Sequence, residues 1–171
     1  GIKELAWLGL IEWRRPRMSG AQALGCSPIV EAWERQSFDI RPQRPRTIAK
    51  SLAIGNPADG FYALKVMAET EGYGVAVTDD EIIEGMKLLA ETEGVFAETA
   101  GGVVIAALRR LAREGRIDPD EVVVAFITGA GLKTQEAVQG ALAEPLLVKP
   151  SIASFEEAFG RRRGVLPAAR S

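Results

Sequence analysis

Residues 121 to 133, EVVVAFITGAGLK, constrain the fold more than any other stretch. An apolar run rich in β-branched residues, bounded by polar positions, fits a strand buried on both faces of a parallel sheet. It passes at once into Thr128 and two glycines, Gly129 and Gly131. In an open parallel sheet, ligands bind beyond the carboxyl ends of the strands, so Thr128 is expected at the mouth of a crevice. Glycines there let a planar ligand approach the backbone, and the Thr128 hydroxyl can donate or accept a hydrogen bond. A tight βα turn with a hydroxyl cap explains the same residues without a ligand, and both readings stand at this point.

The rest of the chain alternates strand-like and helix-like runs with no hairpin dipeptides between them. Helices are expected over 2–8, stopped by Gly9, and from Pro28 to Trp33 with Ser27 as cap. Further helices are expected over 47–54, 58–71, 78–92, 102–114 and 134–142. The one over 58–71 follows an Asn56-Pro57 cap, and the one after Thr78 opens on the capping box Thr78-Asp79-Asp80-Glu81. Arg109, Arg110 and Arg113 fall near the negative end of their helix dipole. Strands are expected over 18–24, 74–77 and 121–127. This order predicts right-handed βαβ crossovers and a three-layer α/β fold, a parallel sheet with helices on both faces.

Composition narrows the function. The 171 residues are 47% apolar, enough for one ordinary core. With 21 basic and 23 acidic side chains the net charge is −2, which gives no pull toward nucleic acid or an anionic membrane. Cys26 is the sole cysteine and there is no histidine, so cysteine zinc sites and Ser-His or Cys-His triads are excluded. No apolar run approaches the ~20 residues that span a bilayer, and a cytoplasmic protein is expected. RPQRPRT, residues 41–47, reads as an extended surface connector. GAGLKT lacks the glycine that a phosphate-binding P-loop places directly before Lys-Thr, and it lacks the third glycine of a dinucleotide fingerprint. ETAGG, residues 98–102, puts small residues behind Glu98 at a helix start, suited either to close ligand contact or to packing.

Taken together, GVFAETAGG and VVVAFITGAGLK resemble the threonine synthase family of pyridoxal-phosphate enzymes of the tryptophan-synthase-β fold type. PRMSGAQALGCSPIVEAW, TIAKSLAIGNPA, VTDDEI and PSIASFEEAF follow in the family's order. The resemblance implies the large domain of such an enzyme, with residues 1–160 as the C-terminal half of its catalytic domain and 161–171 as a tail. It implies that pyridoxal 5'-phosphate is the cofactor and O-phosphohomoserine the substrate, converted with water to threonine and phosphate. Thr128 would approach the pyridine nitrogen, Glu98 and Ala100 would lie beside the ring, and Gly129 would give clearance. Asn56 is a minor candidate for substrate contact, since capping explains it. The Schiff-base lysine and the phosphate-binding glycine loop are expected upstream, in a missing N-terminal half, so no catalytic residue is assigned here. Lys50, Lys65, Lys87 and Lys133 read as surface lysines. The resemblance further implies a homodimer when complete. A threonine or serine dehydratase of the same fold, or a noncatalytic subunit that binds a partner chain, are the alternatives.

Overall fold

A computed structural model describes residues 1–163, with side chains described through residue 160; residues 164–171, most of the expected tail, lie outside the described residues. The chain divides into two compact units, 1–140 and 141–171.

The first unit is built on strands β1 (Gly20–Ala23) and β2 (Gly74–Val77), paired in parallel with Gly20 opposite Gly74 and Ala23 opposite Val77. Helices α1 (Ile2–Trp7), α2 (Pro28–Glu34), α3 (Gly60–Glu69), α4 (Asp79–Glu93), α5 (Thr99–Arg113) and α6 (Glu136–Gln139) complete it. Alternation along the strands sets the layers. Ala21, Ala23, Val75 and Val77 join Ile82 and Met86 of α4 and Val103, Ala107 and Leu111 of α5 in one apolar core. Gly20 and Gly74 face the other way, against Met67 of α3 and, for Gly74, Trp33 of α2. The sheet therefore lies between helices on both faces. On the α4–α5 side the two helices nearly touch, since a Cβ on Gly85 would stand 2.4 Å from the Gly102 carbonyl oxygen. Any larger residue at either position would push the helices apart.

Local chemistry explains the boundaries. Thr78 and Glu81 form the expected box: the Glu81 amide donates to Thr78 Oγ1 (3.3 Å) and the Thr78 amide donates to Glu81 Oε2 (2.8 Å). α2 starts on Pro28, but Ser27 makes no side-chain cap bond. Gln22 takes that role instead, its Oε1 accepting from the Ile29 and Val30 amides at 3.0 Å each. The helix expected over 47–54 shrinks to a 3₁₀ turn, Lys50–Leu52, because Asp79 takes the Thr47 hydroxyl (2.6 Å) and the Ile48 amide (3.3 Å). α3 begins at Gly60 behind Asp59, so Asn56 is not its cap; Asn56 is exposed. α5 starts three residues earlier than expected, and the helix over 134–142 shortens to Glu136–Gln139.

The largest departure concerns 121–127. This run is unpaired, with Val122 95%, Val124 72% and Phe126 71% exposed, instead of buried in the sheet. Burial on both faces requires a neighbouring strand to fill the hydrogen bonds and cover the side chains. The paired strands among the described residues are β1 and β2, and 121–127 is hydrogen-bonded to neither as a strand. The run is held by its ends, through Glu121 bonded to Arg17 and through Ile127 packed near Gly101.

The second unit contains α7 (Ile152–Arg163), with the Phe155 and Phe159 rings stacked 5.4 Å apart.

Candidate functional site

The segment before α5 and the turn after 121–127 run antiparallel against each other. The Glu98 amide donates to the Gly129 carbonyl (3.1 Å), the Gly131 amide donates to the Phe96 carbonyl (2.9 Å), and Ala97 bridges Ala130 between them. Phe-Ala-Glu thus lies opposite Gly-Ala-Gly, residue for residue, and the two large side chains lie over the two glycines. A Cβ on Gly129 would stand 2.2 Å from Glu98 Oε1, and one on Gly131 2.5 Å from the Phe96 ring. Gly129 also has φ +74°, a left-handed conformation that costs a side chain ~1–2 kcal/mol. The space beside Gly129 is therefore taken by the Glu98 carboxyl group.

This pairing brings Thr128, Gly129, Glu98 and Ala100 to one place, while Asn56 stands on a separate exposed corner. Glu98 is 6% exposed and its carboxylate has no bond to any described group. A buried carboxylate without a partner is costly, so the position favours a ligand or a helix dipole. The start of α5 supplies the dipole, as Glu98 is its N-cap residue. The Thr128 side chain is exposed and also makes no bond to a described group. Thr99, next to Glu98 in the chain, is fully buried, with a hydroxyl that has no partner among the described residues. Thr134 completes the group, its Oγ1 accepting from the Thr99 amide at 3.2 Å. Sequence reading missed Thr134, Phe96 and Thr99. The matched Phe-Ala-Glu and Gly-Ala-Gly triplets carry the signal for Phe96; nothing in the sequence marks Thr134.

Elsewhere, a cleft of about 850 Å³ follows the free edge of β2, between Trp33 and Leu64 on one side and Arg110 and Glu114 on the other. Arg110 fixes that edge. Its Nη1 donates to the Ala76 carbonyl (2.6 Å) and its Nη2 to both Glu81 oxygens (2.5 and 2.7 Å). Burial pushes the Glu81 carboxyl up, but the bonds from Arg110 and Thr78 and the Arg110 charge hold it below its usual value. Cys26 is fully buried and burial raises its thiol, as expected of a small core residue. No group of His, Cys, Asp and Glu among the described residues could hold a metal, and no described helix is long and apolar enough to cross a membrane.

A parallel α/β layer that gathers an exposed hydroxyl and a buried carboxylate at one helix start is the frame of a small-ligand site. The pyridoxal-phosphate dependent enzyme family matches residues 2–129, and the chain belongs to that family. Threonine synthase of Methanocaldococcus jannaschii is 45% identical over 150 residues, 87% of this chain and 37% of that protein. Threonine synthase of Methanosarcina acetivorans is 38% identical over 165 residues (95% and 40%), and that of Mycobacterium tuberculosis strain H37Rv 36% over 133 (78% and 35%). The chain spans about two fifths of the length of these curated relatives. The clearance expected at Gly129 is filled by Glu98; what fits the family's cofactor is a neutral hydroxyl at Thr128, a small neighbour at Ala100, and a carboxylate at Glu98 that makes no bond among the described residues.

Proposed function

We propose that this chain is the C-terminal part of a threonine synthase, which converts O-phosphohomoserine and water to threonine and phosphate in the cytoplasm. Residues 1–160 then belong to its catalytic domain. The pairing of 96–98 with 129–131 carries the reading, because it sets a free hydroxyl at the mouth of the site beside a fixed carboxylate. Pyridoxal phosphate, when bound, supplies an electron-accepting ring that stabilises negative charge on the substrate carbon. Thr128 meets the ring nitrogen with a neutral hydroxyl and leaves it largely unprotonated, where an acidic residue would protonate it. Ala100 leaves room beside the ring, and Glu98 lines its edge. The Schiff-base lysine and the grip on the cofactor phosphate come from upstream polypeptide, which also supplies a strand that covers 121–127. The complete enzyme is a homodimer.

The test joins this chain to the upstream portion of the M. jannaschii relative. The product should take up pyridoxal phosphate, with its visible absorbance, and release phosphate from O-phosphohomoserine. Cofactor uptake without phosphate release, or with ammonia released from threonine, would replace the synthase reading with a noncatalytic or a dehydratase one.

A further inference from the structure

Helix α5 has no cap of its own: Glu98 occupies the N-cap position and its side chain makes no capping bond. The Thr99 amide, first of the helix donors left open by geometry, is satisfied by a hydroxyl 35 residues further along the chain, Thr134. Both residues are buried, at 0% and 5% exposure. Thr134 itself closes the 3₁₀ turn Gly131–Lys133, where its amide donates to the Gly131 carbonyl at 3.0 Å. The bond is therefore anchored at the end of the turn that begins three residues after Thr128. Three bonds now join the two segments, from Gly131 to Phe96, from Glu98 to Gly129 and from Thr99 to Thr134. The third is the one side-chain hydrogen bond between them among the described residues, because the Thr99 hydroxyl has no partner and neither the Glu98 carboxylate nor the Thr128 hydroxyl makes one.

We infer that Thr134 is a positioning residue: its hydroxyl fastens the start of α5 to the Thr128 turn and so sets where Thr128 and Glu98 stand relative to one another. Loss of this acceptor strands a buried amide, and the cheapest relief is for the Thr128 turn to move away from α5 and admit water. Thr134 touches no reacting atom. It acts through Thr128 and Glu98, which the cofactor reading above sets against the ring, and the inference rests on that reading.

The experiment compares Thr134→Val, which keeps the shape and removes the acceptor, with Thr134→Ser, which keeps the acceptor, in the joined enzyme. Two measurements are made, amide hydrogen exchange at Thr99 and the pH dependence of the visible absorbance of bound pyridoxal phosphate, beside kcat and KM. Thr134→Val should exchange the Thr99 amide about tenfold faster, the ratio that a bond of ordinary strength supports. Its absorbance profile should shift along the pH axis, and kcat should fall about tenfold with KM little changed; Thr134→Ser should restore all three. Unchanged exchange and an unchanged profile in Thr134→Val would overturn the inference, as would a Thr134→Ser variant as impaired as the valine. Should the valine variant fail to fold, Thr134→Ala against Thr134→Asp supplies the same loss and retention of an acceptor. A wild-type enzyme that takes up no cofactor refutes the cofactor reading and this inference's spectral arm together. Thr99 exchange then decides the tie alone: slow in wild type and fast in the valine variant keeps it, equal rates remove it.

Discussion

Substituting Gly129 with alanine isolates the pairing that shapes the site. Two costs add. A side chain at φ +74° loses ~1–2 kcal/mol to backbone strain. The new Cβ also falls 2.2 Å from Glu98 Oε1, 2.3 Å from Cδ and 2.8 Å from Cγ. Glu98 is nearly fully enclosed, so it cannot simply swing into water, and overpacking of this kind costs ~1–3 kcal/mol. The total is about 2–5 kcal/mol, read as a lower urea midpoint at unchanged slope. A double-mutant cycle with Glu98→Ala separates the parts: the truncation frees the space and leaves the strain, so the coupling should be about 1–3 kcal/mol in favour of the double variant. Gly131→Ala is the control. It carries no positive φ, and it meets the ring of Phe96, which is 40% exposed and can turn away, so its cost should be smaller. A Gly129→Ala loss under about 0.5 kcal/mol, or zero coupling to Glu98, would refute the reasoning.

Thr128→Asp should protonate the ring nitrogen, alter the absorbance of the joined enzyme and depress turnover while the thermal midpoint holds; an unchanged spectrum would leave Thr128 as a turn residue only. Thr99→Val removes a buried hydroxyl that has no partner and should leave stability equal or raise it by up to ~1 kcal/mol, measured by denaturation. A clear loss there would reveal a hidden partner for the hydroxyl. Glu81 is held below its usual pKa in the folded chain, so its contribution is present above the unfolded value of ~4.3 and is lost as pH falls through the folded value. Because the side chain is 40% exposed, screening keeps that contribution under about 1 kcal/mol. Glu81→Gln should thus be less stable than wild type at pH 7 and converge with it in acid; parallel curves would contradict the sign.

Local signals with a single physical cause were legible in the sequence. The Thr78–Glu81 box and Pro28 at a helix start lie where expected, because each depends on residues within a turn of one another, and both short strands fall inside their expected ranges. The sites also came together: Thr128, Gly129, Glu98 and Ala100 meet, although the glycines face Glu98 and Phe96. What pattern could not supply was distant competition. Asp79 draws Thr47 and Ile48 away from a helix, and Gln22 displaces Ser27 as a cap, through contacts that no window of sequence contains. The valine-rich run failed as a buried strand for a related reason, since hydrophobic composition states a need for neighbours and cannot provide them. Arg110 was placed by the helix dipole, whereas its bonds go to Ala76 and Glu81.

That last arrangement has a consequence for how copies of the chain meet. A bare strand edge invites another molecule to pair with it, and repeated pairing on two open edges yields ribbons that grow without limit. With the guanidinium of Arg110 bonded to the Ala76 carbonyl, one acceptor on the rim of β2 is already taken. A strand arriving at that rim would first have to displace the Arg110 guanidinium.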